Sequence, residues 1–419
     1  MSSMPNKRNK VALVMMHTSP LEQAGIGDAG GMNIYVIETA KRMAAVGVDV
    51  DIFTRKISAA QPDVVEYEKG IRIIHLDLPI GIKKEELPAL IPAMAEDFKL
   101  KIKGAGYQVI HSHYWISGKV AMPAAKEFGI PLVHTMHTMA RVKNAYLAEG
   151  ESPEPMIRVQ GETQIVEAAD ALIANTEAEA ACLVGQYEAC PDIVQVVAPG
   201  VDLYSFTPNR KDARKNLSLD PKKLIISFVG RIQPHKGPEV LVRAINEMMQ
   251  HNPELRPNLQ VLITGGASGV GSNEALRIRE LVSWLKLDDV INFLEPIGRD
   301  KLPDLYRASD LVCVPSYSES FGLVALEAQA CGTPVVASAV GGLRTAVADG
   351  ISGVLVDGHN PKAWSSVIAR LLMEPQRRIT LSLGAVEHAS HFGWDATARG
   401  TLDVYDHLIN HQPLAKYAP

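Results

Sequence analysis

The chain has 419 residues, of which 47% are hydrophobic and 21% charged, with a formal net charge of −5. That length exceeds one ordinary core and implies two domains of roughly 100–200 residues each, while the charge excludes a general nucleic-acid binder and confines any basic patch to a cleft. Four cysteines (Cys182, Cys190, Cys313, Cys331) show neither paired nor metal-ligand spacing; with no run apolar enough to span a bilayer and no signal core at 1–10, a soluble cytoplasmic protein is expected.

Short apolar runs alternate with helix-period segments almost throughout. Strands are predicted at 11–16, 48–54, 71–76, 109–114, 131–137, 171–175 and 194–197 in the first half. In the second half they fall at 224–229, 260–264, 290–294, 311–315, 335–338 and 353–356. Continuous Val/Ile/Leu runs separated by helices mark parallel sheets covered on both faces. The expected fold class is therefore α/β, with two doubly wound, Rossmann-like domains. A Pro-, Gly- and Asn-containing stretch at 198–210 reads as the hinge between them. The expected division is a first domain at 1–205, a second at 206–393, and a helix at 394–419 that returns to cover the first.

After the first strand, Gly25, Gly27 and Gly30 spell the G-x-G-x-x-G of a dinucleotide-binding loop. A dehydrogenase is thus a competing reading. The spacing argues against it, because roughly eight residues separate the loop from its strand. The second strand also ends Phe53-Thr-Arg55, with no acid for a ribose, although Arg55 leaves room for a 2′-phosphate. The preferred reading is a loop ending in Gly30-Gly31 at the start of a helix over 33–45. Backbone N–H groups there suit a phosphate, or the charge developing on a leaving group.

Two further strands end in His111-Ser-His113-Tyr114-Trp115 and His134-Thr-Met-His137-Thr138. A strand-end histidine is commonly satisfied within the structure; two such strands on one sheet favour a functional role. They do not form a zinc site, since no acid stands at helical spacing from them. Lys84, Tyr114, Thr138 and Arg158 supply cationic and hydroxyl donors from separate segments. If they converge, they suit a phosphorylated ligand.

The second half carries two motifs. Arg231 and Lys236 lie in a Gly-bounded loop after the strand at 224–229, with Pro238 where a helix begins. In open parallel sheets that end of the strand binds ligands. The two cations would neutralise a diphosphate, Arg through forked hydrogen bonds and Lys as a point charge. Downstream, Glu319 and Glu327 flank Gly322 after the strand at 311–315. Their spacing is slightly over two helical turns, which puts both on one side of a helix while the glycine lets backbone approach a ligand. Acids at a helix start also suit its dipole alone. Combined with the Arg/Lys loop, however, the pair reads as a site for a nucleotide-diphosphate sugar.

Nearly end to end, these motifs resemble the retaining family-4 glycosyltransferases of GT-B fold. The segments that carry the resemblance are His17-Thr-Ser-Pro-Leu, Gly27-Asp-Ala-Gly-Gly-Met-Asn33, His111-Ser-His-Tyr-Trp115, Gly230-Arg-Ile-Gln-Pro-His-Lys236 and Glu319-Ser-Phe-Gly-Leu-Val-Ala-Leu-Glu327. The Glu pair and the Arg/Lys loop are broad family features. The His17 block and the Lys-Glu-Glu-Leu-Pro run at 84–88 point to one branch. For that branch the resemblance implies a UDP-N-acetylglucosamine donor and a 1D-myo-inositol 3-phosphate acceptor, in the first step of mycothiol biosynthesis.

Carried over by motif, the resemblance has Arg231 and Lys236 hold the diphosphate while Gly31 approaches from the opposing domain. Glu327 takes the ribose, Glu319 the donor sugar, Ile297 the uracil, and the backbone after Ser320, Gly322 included, seats sugar and phosphate. Gln23 and Ala24 lie beside the donor. His137 contacts the donor sugar and joins Arg231, Lys236 and Glu319 as the catalytic set. The acceptor shell is His17, Asp28, Ala29, Gly30, Gly31, Met32, Asn33, Lys84, Tyr114, Thr138 and Arg158. Ala24 stands where relatives often carry Pro, and His235 where an apolar residue is common. No cofactor is required for the chemistry; Tyr306, Arg307, Ser309 and Thr333 match a peripheral, structural Mg²⁺ held largely by main-chain carbonyls. A carboxylate nucleophile is the usual route to retention, but Asp28 in a glycine loop is a poor platform, so the resemblance implies front-face displacement. Competing readings are a sucrose-phosphate-synthase-like transferase, using UDP-glucose and fructose 6-phosphate, and a non-catalytic nucleotide-sugar sensor. No amphipathic basic-aromatic stretch marks a membrane partner, and a homodimer is the default expectation.

Overall fold

Fourteen strands among the described residues sort into two sheets whose order follows from where the chain reverses its winding. The structure is a computed structural model and describes residues 9–22, 29–148, 151–266, 272–412 and 414. In the first half the strands are Lys10–Val14 (β1), Asp49–Arg55 (β2), Val64–Glu68 (β3), Ile71–Leu76 (β4), Val109–His113 (β5), Leu132–Thr135 (β6), Ala171–Ala174 (β7) and Val194–Val196 (β8). They form one sheet in the order β3-β4-β2-β1-β5-β6-β7-β8. Leu224–Val229 (β9), Leu259–Thr264 (β10), Ile291–Leu294 (β11), Leu311–Val314 (β12), Val335–Ser338 (β13) and Gly353–Val356 (β14) form the other. Its order is β11-β10-β9-β12-β13-β14. Winding reverses between β1 and β5 in the first sheet and between β9 and β12 in the second. Outside the carboxyl ends of strands at such a reversal, an open α/β sheet leaves a crevice.

β5, β6, β7, β12 and β13 are buried at every position, which is the environment of strands covered by helices on both faces. The sheets are not wholly parallel as expected. β3 was not predicted, and it pairs antiparallel with β4 at the sheet's edge. Its Val-Val-Glu-Tyr-Glu pattern alternates exposed and half-buried positions, so it never makes the apolar run of a central strand. Several predicted strands also ran one or two residues too far, β5 and β6 among them. β5 stops at His113 and β6 at Thr135, because Tyr114 (φ 71°) and His137 (φ 58°) turn the chain out of the sheet.

The helix Trp394–Ile409 packs on the helix Gly31–Ala45, and its Trp394, Ala398, Val404 and Tyr405 enter the core of the first sheet. Two strands of chain thus cross between the sheets side by side. They are tied by a bridge between Val201 and Gly393 and by the Thr397 hydroxyl, which donates to the Ala198 carbonyl at 2.8 Å. Among the described residues no helix is long and apolar enough to cross a membrane.

Candidate active site in the interdomain cleft

The carboxyl ends of both sheets face one cleft of about 450 Å³. Of the predicted donor, acceptor and catalytic residues that the structure describes, all but Ala29 line it. Ala29 is fully buried behind the wall. Gln23, Ala24 and Asp28 lie outside the described residues.

On the second-domain wall, Arg231 follows β9 and Lys236 ends the short 3₁₀ turn Pro234–Lys236. The next residue, Gly237, has φ 68°, and a Cβ there would lie 2.0 Å from the Pro315 carbonyl oxygen. Glycine therefore lets this loop press against the end of β12. The Tyr317 amide donates to the His235 carbonyl at 2.8 Å, and Lys236 Nζ reaches Glu319 Oε2 at 2.6 Å. Glu319 is not on a helix. The helix Leu323–Ala330 begins only after Gly322 (φ 105°), so Glu319 stands in the preceding loop and Glu327 in the helix. Both still line the cleft. Glu327 is 3% exposed, and its two oxygens accept from Arg299 Nη1 at 2.8 Å and the Tyr306 hydroxyl at 3.0 Å.

On the first-domain wall, the ring of Tyr114 is the centre of a cationic cluster. His17 lies 4.2 Å away ring to ring, the Arg158 guanidinium carbon 4.9 Å and Lys84 Nζ 5.6 Å from its centroid. Three chain segments and a strand end, unrelated by any sequence period, meet there. Arg158 is 3% exposed. Its Nε donates to Glu162 at 2.7 Å, its Nη2 to both oxygens of Thr138 at 2.9 Å, and its Nη1 pairs with Glu154 at 2.9 Å. Burial, then the charge of Lys84, holds the His17 pKa well below the usual imidazole value. Burial lowers that of His137 to about 3, and its Nε2 shares a hydrogen bond with His113 Nδ1 at 3.0 Å. Asn33 is spent within the scaffold: its amide donates to Thr18 and Ser19 and accepts from the Gly30 N–H.

The walls touch. The Ser320 hydroxyl donates to the His137 carbonyl, and His235 Nδ1 lies 3.1 Å from Glu151 Oε1. A Cβ on Gly30 would be 4.0 Å from the Arg231 guanidinium, and one on Gly31 would be 3.3 Å from Leu323. The amino end of the helix Gly31–Ala45 thus faces Arg231, where both would act on the same anion.

Sequence reasoning missed Lys143, Glu154, Asn175 and Glu179, which also line the cleft. Glu179 carried a signal of another kind, the Thr-x-x-Glu spacing from Thr176 at a helix start. Thr176 accepts from the Glu179 amide at 3.1 Å, while Glu179 Oε2 accepts from the Asn175 amide at 2.9 Å. Burial raises the Glu179 pKa to about 7. No described residue donates to Asn175 Oδ1.

The residues matched to a peripheral Mg²⁺ lie away from the cleft. The Tyr306 carbonyl already accepts from Thr333 Oγ1 at 2.6 Å and from the Ser309 amide at 3.1 Å. The Arg210 guanidinium rests on Thr333 Oγ1 at 3.2 Å and on the Gly332 carbonyl at 2.8 Å. A second cation beside a guanidinium, with no carboxylate in the donor set, would be repelled. The set as arranged does not fit a divalent ion.

Two facing Rossmann-like domains with a nucleotide-type site between them define a GT-B glycosyltransferase. The family Glycosyltransferase Family 4 matches residues 29–204, and Glycosyl transferases group 1 matches residues 209–384. The chain is 50% identical over 412 residues to the D-inositol 3-phosphate glycosyltransferase of Salinispora tropica, covering 96% of this chain and 86% of that protein. It is 50% identical over 402 residues to that of Kribbella flavida, covering 94% of this chain and 95% of that one. Among solved structures it is similar to the sucrose-phosphate synthase of Thermosynechococcus elongatus, with a TM-score of 0.90, 34% identity, and coverage of 97% of this chain and 100% of the other. The chain belongs to the D-inositol 3-phosphate glycosyltransferase family.

Proposed function

We propose that the chain transfers N-acetylglucosamine from UDP-N-acetylglucosamine to 1D-myo-inositol 3-phosphate with retention of configuration, the opening reaction of mycothiol biosynthesis. The observation that carries this reading is one cleft with two chemically different walls. One presents Arg231, Lys236, Glu319 and Glu327; the other presents cations gathered around Tyr114. The first suits a nucleoside diphosphate sugar and the second a phosphorylated polyol. The half-identical relatives carry the inositol phosphate in their names.

In this reading Arg231 and Lys236 hold the diphosphate, Glu327 the ribose, and Glu319 the hexose hydroxyls. Acceptor phosphate docks against Tyr114, Thr138, Lys84 and Arg158, which brings a ring hydroxyl to the anomeric carbon from the leaving-group side. The hydroxyl oxygen forms the new bond as the bond to the β-phosphate oxygen breaks. The hydroxyl proton passes to that phosphate. Neither missed carboxyl offers a better nucleophile, since Glu154 is bound to two cations and Glu179, with a pKa of about 7, is half protonated at neutral pH. His137 stays neutral and serves as a hydrogen-bonding group. Charge leaving with UDP is met by Arg231, Lys236 and the Gly30-Gly31 helix end.

A second reading, UDP-glucose with fructose 6-phosphate, is favoured by the likeness to sucrose-phosphate synthase. UDP release decides between them. The expected result is release from UDP-N-acetylglucosamine that depends on inositol 3-phosphate. Release only with UDP-glucose plus fructose 6-phosphate would move the chain to the second reading.

A further inference from the structure

Glu154 is a carboxylate where an anionic acceptor is expected, and its position is built. Its amide donates to Asn144 Oδ1 at 2.7 Å, and its carbonyl accepts from the Asn144 amide nitrogen at 3.4 Å. With the backbone pinned, both side-chain oxygens point at cations: Oε1 lies 2.6 Å from Lys143 Nζ and Oε2 2.9 Å from Arg158 Nη1. All three residues line the cleft. The other carboxylate on Arg158 is different in kind. Glu162 is fully buried and also accepts from the Ala140 amide and the Tyr187 hydroxyl, so it cannot leave. Glu154 retains 18% side-chain exposure and has a route to water.

We propose that Glu154 is a specificity-determining residue that stands in for the acceptor's phosphate, and that Lys143 is a further phosphate ligand released when Glu154 is displaced. This rests on the reading of the Tyr114 wall as the acceptor site. The charges explain the selection. Arg158, Lys143 and Lys84 against Glu162 and Glu154 leave one positive charge, too little to balance a phosphate dianion. With Glu154 swung to solvent, Arg158, Lys143 and Lys84 against Glu162 leave two positive charges, which a phosphate dianion balances. A neutral polyol cannot displace the carboxylate, and a monoanion merely exchanges for it. The site therefore reads charge as well as shape.

Burial alone would raise the Glu154 pKa, but Arg158 and Lys143 outweigh it and bring it to about 2, so the stand-in is charged at any working pH. Two imidazoles lie near the cations that hold it, His17 by Arg158 and His235 by Lys143. His17 is held low by burial, and His235, paired with Glu151 across the cleft, is also lowered by burial. Near pH 6 the group that changes charge is then the phosphate monoester itself, whose second pKa is about 6.

The test compares the wild type with Glu154→Gln and Lys143→Met, measuring KM for each substrate and kcat between pH 5.5 and 7.5. In the wild type, acceptor KM is expected to rise about threefold or more as pH falls below 6, with donor KM unmoved. Glu154→Gln is expected to lower acceptor KM at least threefold and flatten that rise, because a monoanion then suffices. Lys143→Met is expected to raise acceptor KM about tenfold and leave donor KM unchanged. A purely structural role for Glu154 would raise acceptor KM in Glu154→Gln, and that result, or an unchanged acceptor KM in both variants, overturns the proposal. Wild-type turnover that ignores inositol phosphate overturns the functional reading, and this inference with it.

Discussion

At the scale of single residues, Lys236 has two demands on it. Its ammonium pairs with Glu319 at 2.6 Å, with side chains 22% and 19% exposed. A partly exposed, solvent-screened pair of this kind is worth about 0–1 kcal/mol to the fold. The same charge placed against a departing phosphate, in a site closed to water, is worth on the order of 3 kcal/mol of barrier. Lys236→Ala is therefore expected to lower kcat about a hundredfold while the melting temperature moves only a few degrees. Steady-state kinetics and a thermal scan on one preparation test it. Equal turnover in the variant would remove Lys236 from the chemistry, and loss of cooperative unfolding would make its role structural.

At the scale of elements, the ends of β5 and β6 carry three buried histidines, His111, His113 and His134, and lead to a half-buried fourth, His137. His111 bonds Tyr405 at 2.6 Å and Thr135 at 2.8 Å, Ser112 bonds His134 at 2.7 Å, and His113 bonds His137. Burial pushes all four pKa values down, those of His134 and His137 to about 3. The unfolded chain would bind protons near its ordinary pKa of 6.5 that the folded chain refuses. Stability is then complete above 6.5 and is lost as pH falls below it. Each histidine withdraws about 1.4 kcal/mol per pH unit well below that point, so the four together approach about 5 kcal/mol per unit. Denaturant midpoints between pH 7.5 and 5.5 should fall steeply below 6.5, and His134→Asn should remove one proton from the slope. A flat profile would mean these imidazoles are hydrated and titrate normally.

The same strand ends show what sequence pattern carries and what it does not. Apolar runs located thirteen of the fourteen strands and placed the Arg231 and Glu319 loops at their carboxyl ends, because burial on both faces forces a composition that can be read directly. The pattern overran at Tyr114 and His137, where hydrophobic and aromatic residues continue past the last ladder bond and only a positive φ ends the strand. It missed β3, where no position is fully buried and two of the five residues are charged. Lys143 had no period to betray it, and Glu154, although four residues before Arg158, lies ahead of the helix Met156–Ala168 that carries it. They meet because two helices and a pinned loop converge on Arg158, and convergence of that kind is a tertiary fact.

At the scale of the whole molecule, the two domains approach one another closely at Gly31. Gly31 opens the helix that faces the diphosphate loop, and a Cβ there would sit 3.3 Å from Leu323 Cδ1, tighter than ordinary contact. The branched side chain of Gly31→Val would drive two more methyl groups into the opposing domain. The strain has an outlet, since among the described residues the chain crosses between domains at the paired segments around Ala198 and Gly393. Opening the cleft about that crossing relieves the contact without unfolding either sheet. Arg231, Lys236, Glu319 and Glu327 all belong to the second domain and move as one, so UDP affinity should change by less than about threefold. Turnover needs both walls and should fall at least about tenfold, the equivalent of 1.4 kcal/mol of lost closure. Calorimetric titration with UDP, kcat, and the radius of gyration in solution distinguish the cases. A larger radius with UDP affinity retained and turnover lost is the expected result. Turnover retained at wild-type level would show that catalysis does not require the domains to approach as closely as Gly31 and Leu323 do here.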